Sequence, residues 1–127
     1  SIGAGLRTAC ASPGVEELLT EIRLVYIPCP DESCAREIGR KLVEQRLAAC
    51  ANVIPKMTSI YRWEGKLEED REALLLLKTV EENLKSLQEK VKSLHPYRLP
   101  AIVAYPAVAG NPEYLDWVRE GSRRRHD

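Results

Sequence analysis

From Ala48 to Lys78 the chain reads A-A-C-A-N-V-I-P-K-M-T-S-I-Y-R-W-E-G-K-L-E-E-D-R-E-A-L-L-L-L-K. Two strand-forming runs meet at Glu64-Gly65, where glycine supplies the positive φ of a tight turn. Each arm holds about 13 residues and would reach about 40 Å at ~3.3 Å per residue, roughly twice an ordinary strand. The two main helices predicted below are about 15 residues, or about 22 Å, long. A helix layer that short leaves about half of such a ribbon uncovered, so the hairpin projects from its domain or is covered by another chain. Ala73 to Leu77 is apolar at every position, the pattern of a strand half buried on both faces. The chain's own helices cover one face; a partner is expected on the other. Lys66 to Glu72 is highly charged and reads as a solvated arm. Pro55 has no amide hydrogen to offer a ladder, which predicts a bulge, a bend or an unpaired edge. Beyond it, period-2 alternation puts Met57, Ser59, Tyr61 and Trp63 on one face and Thr58, Ile60 and Arg62 on the other. The aromatic face is a candidate contact surface.

The flanks complete the pattern. Val15 to Glu21 reads as a short helical turn, and Ile22 to Pro28 as a strand stopped by Pro28-Cys29-Pro30. Asp31 is a good N-cap, with acidic Glu32 suiting the first turn. Cys34, Ile38 and Leu42, with Ala35 and Val43 beside them, give an amphipathic helix to about Gln45. After the hairpin, Thr79 and Glu82 fit a capping box opening a second helix, with a stripe of Leu84, Leu87, Val91 and Leu94 that ends at His95-Pro96-Tyr97. Ala101 to Val108 is the last strand, broken by Pro106. Gly110-Asn111-Pro112 turns into a final helix, Glu113 to Glu120, whose Pro112 is well placed near its start. Tyr114, Leu115, Trp117 and Val118 give that helix a packing surface. The order β-α-β-β-α-β plus a C-terminal helix predicts an α+β, ferredoxin-like (split β-α-β) domain over residues 21–121. Right-handed crossovers put both main helices on one sheet face and leave the other bare. Residues 1–20 read as a flexible or weakly structured segment, and 122–127 as a basic tail.

The chain has 127 residues, enough for one self-sufficient core. Lys plus Arg and Asp plus Glu both number 19, so electrostatic steering toward nucleic acid is not expected. No window approaches the ~18 apolar residues of a membrane-spanning helix. Cys10, Cys29, Cys34 and Cys50 form no C-x-x-C pair, and read as free thiols in a reducing, cytoplasmic setting. No nucleophile–base pairing is legible, since the two histidines are His95 and the tail's His126.

C-P-D-E, L-V-E-Q-R-L-A-A-C-A-N, T-S-I-Y-R-W-E-G-K, L-L-K-T, H-P-Y and G-N-P-E-Y-L-D-W-V occur in one collinear pass over roughly residues 22–121. In joint order and spacing this resembles the CutA divalent-cation tolerance proteins. The resemblance implies a ferredoxin-like subunit in a tight homotrimer, with hairpins paired to neighbouring subunits and bare sheet faces packed inward. It implies a link to tolerance of copper and other divalent cations, and carries no settled catalytic activity. A copper site proposed for some members uses a Cys at the end of the first strand, the His of H-P-Y and a carboxylate just after the following Pro. Here His95 matches the His. The Cys position falls on Ile27, with Cys29 two residues on, and the carboxylate position is Ala101. Arg98 stands where many members are acidic.

The expected metal ligands are therefore His95 and Cys29, toward weakly held Cu(II) or another divalent cation. His95 also suits a helix C-terminus, where imidazole favours the dipole. Cys29 precedes a helix N-terminus, which would stabilise a thiolate; Cys50 reads as a packing residue. Tyr61, Trp63, Lys78 and Tyr97 are the candidate ligand-binding set. Tyr61 and Trp63 suit interface packing as well, and Lys78 suits either an anionic ligand or a Glu partner. Glu68, Glu69, Asp70 and Glu72 would attract cations weakly, or simply face water, because hard cations want about six convergent oxygens. The resulting reading is a non-enzymatic homotrimer in divalent-cation tolerance, with small-ligand or metal contacts in intersubunit clefts. One alternative is an acylphosphatase-like hydrolase, although P-C-P-D-E lacks the Gly-rich anion cradle that chemistry wants. The other is a trimeric anchoring module.

Overall fold

Alternating burial along Ile22–Cys29 marks this segment as a strand (β1) with one face in a core. The computed structural model describes residues 14–124. Residues 1–13, most of the segment expected to be weakly structured, and 125–127 at the end of the basic tail lie outside the described residues. From Val15 on, that N-terminal segment is a packed helix, α1 (Val15–Glu21), with Leu18 buried.

β1 leads through Pro30 into α2 (Glu32–Glu44), capped by the Asp31 carboxylate, which accepts from Cys34 N at 2.8 Å. The hairpin follows as β2 (Cys50–Trp63) and β3 (Lys66–Val80). It turns at Glu64 and Gly65, with φ of 49° and 81°, the pair of positive angles a primed two-residue turn requires. A 3-10 turn, Glu81–Asn83, opens α3 (Leu84–Leu94). β4 (Val103–Pro106) and α4 (Pro112–Gly121) complete the fold. The result is a mixed α+β chain with one antiparallel four-stranded sheet, ordered β2-β3-β1-β4.

Val25, Ile27 and Cys29 of β1 and Ala73, Leu75 and Leu77 of β3 meet Ile38 and Leu42 of α2 and Leu87 and Val91 of α3 in the main core. Gly39 makes the close approach work: a Cβ there would lie 3.0 Å from both Ala51 Cβ and Leu75 Cδ1, so α2 rests directly on the hairpin's base.

The structure corrects several expectations. Thr79 does not cap α3. It is the last helix-facing residue of β3, fully buried, and its hydroxyl donates to Leu47 O at 2.6 Å. The S/T-x-x-E pattern is local, and strand pairing of Thr79 with Arg23 outweighs it. β4 is Val103–Pro106 rather than Ala101–Val108, because it pairs only with Arg23–Tyr26. The second sheet face is not wholly bare. α1 and α4 cover one end of it, where Leu18, Ile22, Val80, Leu115 and Val118 form a second core. Leu74 on that face is only 8% exposed within the single chain, flanked in register by Pro28 and Ile54. Leu76 is half-buried, and Ile54, Val103 and Tyr105 are the open apolar positions, Ile54 at 44% and Tyr105 at 50% exposure.

Candidate functional site

The register of the hairpin shifts at Pro55. Ile54 pairs with Leu74 and Met57 with Glu72, so Pro55 and Lys56 oppose Ala73 alone. This bulge changes the phase of β2. Before it, even-numbered residues of β2 share the open sheet face; after it, Met57, Ser59, Tyr61 and Trp63 take that face instead. Tyr26, also on the open face, accordingly reaches Met57 Sδ at 3.6 Å. Pro55, which has no N–H to lose, suits the irregular position.

The phase change turns the aromatic stripe toward the loop after α3. Tyr61, Trp63, Asp70, Glu72, Tyr97 and Arg98 line a cleft of about 510 Å³, with Leu99 and Ala101 adding apolar surface. The Tyr61 hydroxyl donates to Asp70 Oδ2, and Tyr97 OH donates to Glu72 Oε2 at 2.7 Å. The hydrogen bond to Asp70, helped by burial and by the Asp70 charge, pushes the Tyr61 hydroxyl up to about 12. Burial, then the Glu72 hydrogen bond, pushes Tyr97 upward as well. Both phenols therefore stay protonated donors at neutral pH, and each carboxylate keeps lone pairs to offer. The Arg98 guanidinium lies 5.8 Å from the Trp63 ring centroid, in cation–π range.

Of the expected ligand set, Tyr61, Trp63 and Tyr97 come together and Lys78 does not. Lys78 pairs in register with Leu24 and Cys50, toward the opposite end of the sheet. There its Nζ donates to Tyr114 OH at 3.1 Å and lies 5.3 Å from that ring's centroid. Asp70 and Glu72, read earlier as weak attractors of cations or a solvated face, are the residues that sequence reasoning left out of the ligand set. The signal was the register: once Met57 opposes Glu72, residues 70 and 72 share a face with Tyr61.

His95 and Cys29 are neighbours through one peptide but do not form a shared donor set. His95 is 7% exposed; its Nε2 donates to Pro28 O at 2.8 Å while Nδ1 accepts from Tyr97 N at 3.1 Å. Both ring nitrogens are thus engaged by backbone. β1 continues through Pro28, so Cys29 shares the helix-covered face with Ile27 and is fully buried in the main core. Burial and the neighbouring Cys34 push its thiol up to about 12, the opposite of an activated thiolate. Cys34 is raised too, by burial first and then by Asp31. Among the described residues no three His, Cys, Asp or Glu side chains group as metal ligands. These residues do not fit the tight copper site that the resemblance implied.

A family model described as CutA1 divalent ion tolerance protein matches residues 23–121. The Divalent-cation tolerance protein CutA of Thermus thermophilus is 54% identical over 99 residues, 78% of this chain and 96% of that protein. A solved structure from the same organism, a divalent cation tolerance protein (Cut A1), superposes with a TM-score of 0.78 at 53% identity, covering 80% of this chain and 99% of that one. Relatives differ in stated location. The Arabidopsis thaliana Protein CutA, chloroplastic is 36% identical over 79% of this chain and 55% of its own length. A structure described as the periplasmic divalent cation tolerance protein CutA from Archaeoglobus fulgidus has a TM-score of 0.77 at 35% identity, covering 80% of this chain and 99% of that one. Among the described residues no helix is long and apolar enough to cross a membrane. By its family model and these relatives, the chain belongs to the CutA divalent-ion tolerance family.

Proposed function

We propose that this protein is a non-enzymatic homotrimer acting in divalent-cation, including copper, tolerance, with weak metal and small-ligand contacts in clefts between subunits. The observation that carries the reading is the half-open sheet face. Leu76, Ile54, Val103 and Tyr105 form an apolar strip that α1 and α4 leave uncovered, and such a strip favours association with further copies of the chain. The strand order β2-β3-β1-β4, with α2 and α3 against one face, supports a ferredoxin-like subunit over residues 21–121 that presents its other face to partners. Three described thiols, Cys29, Cys34 and Cys50, are free, which supports a reducing compartment such as the cytoplasm.

Copper contact, on this reading, is weak and runs through His95 once Nδ1 releases Tyr97 N. Two measurements test the proposal. Native mass spectrometry is expected to give three chains per particle; a folded monomer on dilution would contradict it. Cu(II) titration of the wild type against His95→Ala is expected to show weaker binding in the variant, and equal affinity would remove His95 from any site.

A further inference from the structure

We infer that the cleft between the hairpin and the Tyr97–Ala101 loop is a binding site for a small organic ammonium ion, a methylated or primary amine on a compact apolar body. This deepens the small-ligand part of the reading above, placing the contact in a cleft that one chain lines by itself, and rests on that reading only for the claim that the protein takes small ligands at all.

Three aromatic side chains, Tyr61, Trp63 and Tyr97, and two carboxylates, Asp70 and Glu72, converge on about 510 Å³. Ring faces carry negative quadrupole density and attract cations that shed water readily. The two carboxylates add two negative charges against the single positive charge of Arg98. Neither carboxylate is bound in an ion pair among the described residues. Each instead takes one phenolic hydrogen bond, which fixes its direction and leaves further lone pairs free. The cleft is thus net anionic and aromatic, and its acids are oriented in advance.

A hard divalent ion suits this lining poorly. Ca²⁺ or Mg²⁺ wants about six oxygens at short range, and the cleft supplies two carboxylates already shared with phenols. A soft first-row ion wants imidazole or thiolate, yet His95 and Cys29 bind backbone and core instead. An ammonium group asks only for ring faces and a few acceptors. Arg98 over Trp63 shows that the ring already holds one cation at 5.8 Å; a ligand displaces that guanidinium or sits beside it.

The test is a fluorescence titration of the full chain carrying Trp117→Phe, so that Trp63 is the only indole left. The probe is tetramethylammonium chloride, with sodium chloride and magnesium chloride as controls at equal ionic strength. Saturable change with tetramethylammonium is expected, and none with sodium. Glu72→Gln and Asp70→Asn should each weaken binding several-fold. By calorimetry on the wild-type background, Trp63→Leu should weaken it about tenfold. Native mass spectrometry on each variant verifies unchanged assembly, so that lost binding is local. Three results overturn the inference: a response no different from sodium, magnesium saturating the same signal, or full binding in both carboxylate variants. Any of these in a protein that still assembles and still binds Cu(II) through His95 leaves the preceding reading standing.

Discussion

Pro28 separates two side chains whose environments have little in common. Its carbonyl accepts from His95 Nε2, while the next residue, Cys29, turns into the main core. A Cys before a helix N-terminus reads as a reactive thiol, but strand parity sends this one away from the helix end and under α2. Burial, with Cys34 beside it, then holds the thiol protonated, up to about 12 against an ordinary 9.0. Because the folded-state value is the higher one, the fold gains stability from this group below pH 9.0 and loses it as pH rises toward about 12. The urea midpoint is therefore expected to fall across that alkaline window. In the native protein near neutral pH, Cys29 should be alkylated after the less buried Cys50, as read by peptide mapping; early labelling of Cys29 would show that its burial is wrong.

At the scale of elements, the bulge at Pro55 decides what the hairpin presents. Beyond it, the Glu64-Gly65 turn pairs Trp63 with Lys66 and holds Tyr61 on the face of Asp70 and Glu72. Asp70→Asn removes the charged acceptor that raises the Tyr61 hydroxyl, so in a tyrosine absorbance titration its transition should fall from about 12 toward 10.0. An unchanged transition would mean that the two side chains do not meet across the hairpin. The hairpin, its Glu64-Gly65 turn and an irregularity at Pro55 were all legible in the sequence, since glycine and proline have few backbone roles to choose from. The cleft was only half legible. Alternation grouped Tyr61 with Trp63, and the two-residue turn, by pairing Trp63 with Lys66, already puts Asp70 and Glu72 on that face; what no local pattern records is that the loop carrying Tyr97 and Arg98 comes to lie against it. Lys78 failed for the same reason. Four leucines before it mark a strand end, and only the pairing with Leu24 and Cys50 shows which end of the sheet that is. Thr79 was misread because a capping box and a strand terminus use the same residues, and the register with Arg23 decides between them.

For the whole molecule, the question is how an apolar face is finished. α1 and α4 close one end of the open side around Ile22 and Val80, a cover that the βαββαβ order alone does not reveal. It leaves a strip of Leu76, Ile54, Val103 and Tyr105 across the middle of the sheet. Leu76 is the most telling position. It lies on a central strand between Tyr26 and Asn52 in register, half-buried in the single chain. A lysine there keeps the strand's backbone pairing and can lift its charge to water in a lone subunit. In an assembled one it would be trapped against apolar neighbours, forfeiting the ~1.5–3 kcal/mol of a buried leucine and adding the larger cost of an unpaired buried charge. Leu76→Lys is therefore expected to dissociate the assembly while leaving far-UV circular dichroism close to native, with a melting temperature that no longer rises with protein concentration. Lys85→Glu, an exposed position on α3 away from the strip, is the control and should change neither property. An assembly that survives Leu76→Lys intact would place the subunit contacts elsewhere, and the open face would then need another occupant.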